Sequence, residues 1–185
     1  MIEKRVIPDL FTALVYSIVG QQIATKAQET IFTRMEQALT ITPDRLASIA
    51  PDELQRFGIS FRKVNYIQSA ARKIVSGEFD IDALKGMSDT DVCAQLCSLD
   101  GVGVWTAEML MLFSMQRQDI LSYGDLAIQR GLRMLYRHRK IDKFIFERYR
   151  RRYSPYGSVA SLYIWAVAGG AIEGFSDQGA QKARN

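Results

Sequence analysis

The sequence is short of the residue types that anchor disulfide scaffolds and β-rich folds: two cysteines, four prolines, one histidine and two tryptophans among 185 residues. The two cysteines, Cys93 and Cys97, fall one helical turn apart on a predicted helix. A disulfide would be geometrically unusual there, so two buried thiols in a reducing compartment are expected. Long apolar runs are also lacking; none approaches the length that crosses a bilayer, and the opening MIEKRVIPDL carries no secretory pattern. A soluble cytoplasmic protein with no membrane partner is the expectation, nucleoid-associated if the source is bacterial. Strand-like alternation bounded by turns is missing as well, which points to an all-α class. A chain of this length buries one good hydrophobic core, built as one domain or two lobes of a domain.

What is present is charge, unevenly spread. The formal net charge is only +4, yet residues 1–100 hold 11 Lys and Arg against 13 Asp and Glu, while residues 101–185 hold 13 against 7. Within 126–152 ten basic residues face only Asp142 and Glu147. Such a segment suits a polyanion, and equally a solvated helical face.

Apolar spacing predicts helices over about 9–19 and 24–38, with Gly20-Gln21-Gln22 breaking between them, and short helices opened by Pro43 and Pro51. A longer helix starts at Phe61 and finishes at Gly77, and Ser88-Asp89-Thr90-Asp91 resembles a capping box for a helix to about Cys97. Further helices are expected at about 105–115, 126–136, 143–153 and 158–169, and the small, polar segment 176–185 is expected to be a disordered tail.

Between two of these helices lies Leu99-Asp100-Gly101-Val102-Gly103-Val104-Trp105-Thr106-Ala107. Glycines two apart let the backbone approach a ligand, and the first amides of the following helix favour an anion such as a DNA phosphate. A bare Gly-x-Gly is equally a cheap connection between packed helices. Asp125 lies 22 residues beyond Gly103, at the start of the next predicted helix, where an ordinary N-cap aspartate would also sit.

The string LDGVGVWTA resembles the helix-hairpin-helix signature LxGVGxxTA of DNA glycosylases, and Asp125, followed by Leu126 to Arg130, stands where that family places an aspartate. Gly20-Gln21-Gln22 with Lys26 and Ala27 resembles a GQQxxxKA element. Gly58-Ile59-Ser60 with Lys63, Tyr66 and Ile67 resembles a GxSxxKxxYI element, and Ser158 to Trp165 a late helix bearing tryptophan. The similarity spans roughly residues 9–170 and includes the alkylated-base members, the 3-methyladenine glycosylase II type.

The resemblance implies a two-lobed helical fold over residues 1–175, with the N-terminal helix packed among the C-terminal helices, the central helices forming the other lobe, and the active cleft between them. An extra N-terminal β domain found in some members would have no room ahead of these helices. It implies Asp125 as the catalytic carboxylate, whose negative charge stabilises the deoxyribose cation as the base departs. It implies a base pocket drawn from Trp105, Met109 and Trp165, in which indoles bind a cationic alkylated purine. Phosphate contacts would come from Gly101, Val102, Gly103 and Thr106 of the hairpin and from Arg130 and Arg133, which share a helical face with Arg137. Gln22, or Ile23 beside it, would fill the gap left by a flipped base.

Members that also cut the strand carry a lysine where this chain has Trp105, so base release without strand cleavage is expected. No cofactor is required on this reading. Two cysteines are too few for an iron–sulfur cluster, and the backbone carbonyls of Cys97, Leu99 and Val102 match a monovalent-cation site of family hairpins. Double-stranded DNA containing a damaged base is the expected partner of a monomer. Two alternatives stay open: a glycosylase for a deaminated, oxidised or mismatched base, and a non-catalytic DNA-binding module in which Asp125 is only a cap. Trp105 and Trp165 have packing readings of their own. His138 and Arg150–Arg152 read as solvated surface.

Overall fold

A computed structural model describes residues 6–177 and 179. Among the described residues there are ten α-helices, one short 3-10 turn at Ala83–Gly86 and no strand. The helices are α1 (Leu10–Gly20), α2 (Thr25–Ala38), α3 (Pro43–Ser48), α4 (Pro51–Gln55), α5 (Phe61–Val75), α6 (Asp89–Cys97), α7 (Val104–Phe113), α8 (Leu126–Tyr136), α9 (Lys143–Tyr153) and α10 (Gly157–Ala168).

The helix starts follow their capping chemistry. Side-chain oxygens of Asp9, Thr42, Ser60, Ser88, Asp125 and Asp142 each accept an amide of the following turn, satisfying donors that have no partner inside the helix. Pro43 and Pro51 open α3 and α4, where a missing N–H costs nothing. The box at Ser88 closes differently from the standard pattern. Its hydroxyl accepts from the Asp91 amide at 3.2 Å and donates to the Asp91 carboxylate at 2.6 Å. The 3-10 turn had no sequence signal, and α7 begins one residue earlier and ends two earlier than its apolar spacing suggested.

The contacts divide the chain into two compact units, residues 6–115 and residues from 116 onward. The first holds α1–α7, with α3 on α5, α6 on α7, and α1 against α2, α5 and α7. Leu14, Ile18, Leu54, Ile67, Leu96 and Leu110 are fully buried there, each contributing roughly 1.5–3 kcal/mol by leaving water. The buried Leu14, Val15, Ile18 and Val19 of α1 lie in this unit, where α1 packs on α2, α5 and α7.

The second unit holds α8–α10 around Leu121, Ile128, Leu132, Ile141, Phe146 and Ile164. Within it α8 packs closely on α10. A Cβ on Gly131 would sit 2.5 Å from both Cγ2 and the carbonyl oxygen of Ile164, so only glycine admits that crossing. No helix among the described residues is long and apolar enough to cross a membrane.

Candidate active site

The hairpin occupies Ser98–Gly103, between α6 and α7. Gly101 has φ +78, a left-handed conformation that L side chains rarely adopt, and it lies on the ring of Tyr66 from α5, where a Cβ would come within 2.2 Å of Cδ2. The Val102 amide donates to the Leu99 carbonyl at 3.1 Å, closing the turn. Gly103 differs: its φ of −94 suits any residue, it N-caps α7, and a Cβ there would meet nothing within 4 Å. The sequence treated the two glycines as a pair, but only Gly101 is dictated by the backbone. Val102 and Thr106 point inward and are buried, so what they can offer DNA is their backbone. No side chain caps α7, and its first-turn amides have no acceptor within the helix.

Three of the matched sequence islands meet at this hairpin. Gln21, the C-cap of α1, donates from Nε2 to the Gly101 carbonyl at 2.7 Å. Lys63 of α5 donates from Nζ to the Val19 carbonyl at 2.8 Å, and Gln28 of α2 donates to the Tyr16 carbonyl at 2.9 Å. Burial and then the neighbouring Arg62 charge lower the Lys63 amine from its usual range. Gly20 leaves space for Gln28, whose side-chain amide would lie 2.3 Å from a Cβ there. The next residue, Gln22, is exposed with φ +59, and Ile23 beside it is 37% exposed. In the sequence Gln21, Lys63 and Tyr66 are pattern matches only; packing shows Gln21 and Tyr66 against Gly101 of the hairpin and Lys63 on the end of α1.

Trp105 stands on the first turn of α7, 49% exposed, with Met109 half-buried one turn further on. Core packing therefore does not account for Trp105. Cys93 and Cys97 are free and half-buried rather than fully buried. The Cys93 thiol is pushed up to about 11, first by burial and then by Cys97.

In the second unit Asp125 is the N-cap of α8, 7% exposed, and its Oδ1 accepts from the amides of Ala127 at 2.8 Å and Ile128 at 2.9 Å. The preceding loop is stitched down around Asp119. Its carboxylate accepts from Arg150 at 2.9 Å, Ser154 at 2.7 Å and the Gly157 amide at 3.0 Å. Burial opposes its charge, but the bonds from Ser154, Gly157 and Arg150 outweigh that and hold the carboxyl below its usual value. Ser158 accepts the Ile120 amide, Ser161 donates to the Ile120 carbonyl, and Gln129 donates to the Tyr123 carbonyl. No motif marked Asp119. Trp165 is half-buried against the core cluster that includes Ile128 and Leu132, so packing accounts for much of its surface.

The basic residues behave less simply than a solvated face. Arg133 donates from Nε and Nη2 to the two oxygens of Asp177, at 2.9 and 2.7 Å, and Arg130 Nε lies 3.8 Å from the same carboxylate. The hydrogen bond to Asp177 raises the Arg133 guanidinium further and lowers the Asp177 carboxyl. Asp177 belongs to the segment expected to be disordered, yet its side chain is only 10% exposed, because this ion pair anchors it. The rest of that expectation, at 178 and 180–185, lies outside the described residues. Arg137 does not extend the Arg130–Arg133 face: it ends α8 in a left-handed conformation, φ +56. Arg150 is not solvated but bound to Asp119, and Arg152 lies over the Tyr136 and Tyr149 rings. His138 is half-buried, with Nε2 2.7 Å from the Tyr149 hydroxyl, rather than loose on the surface.

A helical fold carrying this hairpin, with a capping aspartate at the head of the helix that follows, defines a class. The chain belongs to the HhH-GPD superfamily of base excision DNA repair proteins, whose model matches residues 15–155. It is similar to a DNA-3-methyladenine glycosidase structure from Bacillus halodurans, with 38% identity, a TM-score of 0.81, and coverage of 90% of this chain and 79% of that one. The Schizosaccharomyces pombe DNA-3-methyladenine glycosylase 1 is 28% identical over 164 residues, 85% of this chain and 72% of that protein. The structure of 3-methyladenine DNA glycosylase from the same yeast in complex with abasic DNA superposes with a TM-score of 0.78, at 24% identity, covering 92% and 86%.

Proposed function

We propose that this protein is a monofunctional DNA N-glycosylase that hydrolyses the bond between deoxyribose and an alkylated purine, 3-methyladenine foremost, and leaves an abasic site. Asp125 is the observation that carries the reading: a buried carboxylate held rigidly at the head of α8, behind a helix-hairpin-helix. Its Oδ1 is turned as an acceptor toward the Ala127 and Ile128 amides, an arrangement that suits a group whose charge stabilises the sugar cation. An alkylated purine is already a good leaving group, so binding by an electron-rich indole replaces acid catalysis. The exposed Trp105 ring, with Met109 beside it, supplies that surface, and Trp165 is the second indole.

The hairpin amides and the Arg130–Arg133 face would hold phosphates of double-stranded DNA without reading sequence. Gln22 and Ile23, exposed on the α1–α2 turn, would enter the stack when the damaged base leaves it. Carbonyl oxygens suit a monovalent cation, and the Leu99 carbonyl, which takes the Val102 amide, keeps a second lone pair. With Cys97 and Val102 it would hold the ion and tighten the turn. No lysine follows the hairpin where a Schiff base would form, since Trp105 occupies that place. The protein would act as a monomer on DNA in the cytoplasm.

The deciding experiment measures abasic sites in methylated duplex DNA and in a panel of duplexes carrying one lesion each. Release of 3-methyladenine by the wild type, and none by Asp125→Asn, supports the reading. Release of an oxidised or deaminated base instead would move the substrate class. Tight DNA binding with no release would leave a binding module whose Asp125 is only a cap.

A further inference from the structure

The α1–α2 turn places two adjacent glutamines in opposite roles. Gln22 is exposed and left-handed, φ +59, with Arg62 reaching its Oε1 at 3.5 Å. Gln21 has an ordinary negative φ, −58, and its side chain bonds across 80 positions of sequence to the Gly101 carbonyl at 2.7 Å. That carbonyl belongs to the one hairpin residue whose backbone is forced, by its positive φ and by the Tyr66 ring against it. The other end of the turn is equally fixed, because Lys63 and Gln28 hold the Val19 and Tyr16 carbonyls of α1. Left to itself, a four-residue connection, Gln21 to Ala24, with all but Gln21 exposed, is a soft element. This one is tied at a single point to the segment that would grip a phosphate.

We propose that Gln21 is a positioning residue that sets the distance between the residue entering the base stack and the phosphate held by the hairpin. The inference rests on the glycosylase reading above. Inserting a side chain into a duplex demands sub-ångström placement relative to the backbone being held. A hydrogen bond from Gln21 to a rigid hairpin carbonyl provides that reference, whereas loss of it leaves both loops folded but independently placed. Gln21 touches neither base nor phosphate in this role.

The test uses Gln21→Glu, which keeps the shape but turns an acceptor toward a carbonyl, and Gln21→Met, which keeps the length without a donor. Both are compared with wild type on three readouts: affinity for undamaged duplex, 2-aminopurine fluorescence beside a single alkylated purine, and single-turnover release of that purine. Release is measured with the lesion paired, and again with it opposite a one-nucleotide gap, where it is already unpaired and leaves the stack more cheaply. We expect affinity within about twofold of wild type, release of the paired lesion slowed about tenfold, and release of the gapped lesion within about threefold. The 2-aminopurine signal should fall in parallel with the paired rate.

Equal slowing on both substrates, or no slowing on either, overturns the proposal, as does loss of folding by both variants, which would make Gln21 a structural brace. A wild type that opens the stack yet releases no base refutes the glycosylase reading instead, and the fluorescence still decides the role of Gln21.

Discussion

The Asp177 carboxylate grips the Arg133 guanidinium at two points, 2.9 and 2.7 Å, so an arginine proposed to hold a phosphate beside α8 already holds a carboxylate. Removing that competitor should expose the arginine. Asp177→Ala is expected to tighten binding to a short undamaged duplex several-fold at low salt and to steepen the salt dependence by about one charge. Fluorescence anisotropy across a salt series checks this; an unchanged slope would mean that Arg133 meets no phosphate. Acid should act in the same direction. The Arg133 hydrogen bond, against opposing burial, holds the Asp177 carboxyl below its usual value. Its stabilising contribution is therefore complete above about pH 4 and is lost only as pH falls through the lowered folded value.

Asp125→Asn separates charge from capping. Asparagine caps a helix about as well as aspartate, so thermal stability should stay nearly unchanged while excision falls by roughly a hundredfold or more. Asp125→Ala should lose the same activity and, in addition, about 1 kcal/mol of stability as the Ala127 and Ile128 amides lose their acceptor. Single-turnover rates and thermal melts on the three proteins distinguish the roles. If the asparagine variant releases base as fast as wild type, the carboxylate charge does no chemistry.

Helix identities and most boundaries were legible because capping residues and apolar spacing act locally. The residues flanking α8 and α9 needed no tertiary information. Asp125 was legible too, since its place after the hairpin is a matter of chain order. The ties between distant segments were not. Nothing local to Gln21 indicates a partner 80 residues on, Asp119 carries no motif, and Asp177 sits in a polar segment whose composition reads as tail. Charge runs also mislead. Arg133 and Arg150 belong to the same basic stretch as the exposed Arg139, but each is committed to one carboxylate through tertiary placement.

Asp119 gives the second unit a specific acid sensitivity. Its carboxyl, lowered by bonds from Ser154, Gly157 and Arg150 that outweigh burial, stabilises the fold above the ordinary carboxylate range, and that contribution disappears as pH falls through its folded value. Asp119→Asn keeps the size but not the charge. It should cost about 2 kcal/mol near neutral pH and flatten the loss of stability as pH falls below the ordinary carboxylate range. Urea melts at a series of pH values read both effects. A variant that tracks the wild type in parallel would show that Asp119 does not carry that sensitivity.

Trp105 bears on whether the strand is cut. An indole cannot form a Schiff base, so borohydride should trap no covalent adduct between the wild-type protein and lesion-containing DNA. Trp105→Ala should leave stability close to wild type, because the ring is half exposed, while base release falls about tenfold or more. An adduct from the wild type would refute monofunctional chemistry. Unchanged release by the alanine variant would remove Trp105 from the base pocket.

The two hairpin glycines should respond in opposite ways to the same substitution. Gly101→Ala places a Cβ on a backbone with φ +78 and 2.2 Å from the Tyr66 ring, so it should cost about 2 kcal/mol or more and weaken DNA binding through a distorted turn. Gly103→Ala meets nothing within 4 Å and has an ordinary φ, so its melting temperature should match wild type or rise slightly. Its effect on binding is then a clean report of how near a phosphate comes. If the backbone of Gly103 lies against DNA, one added methyl group should weaken duplex affinity about tenfold with no loss of fold. If affinity also stays unchanged, the hairpin does not meet the phosphate at Gly103, and the contact must be sought among the first amides of α7.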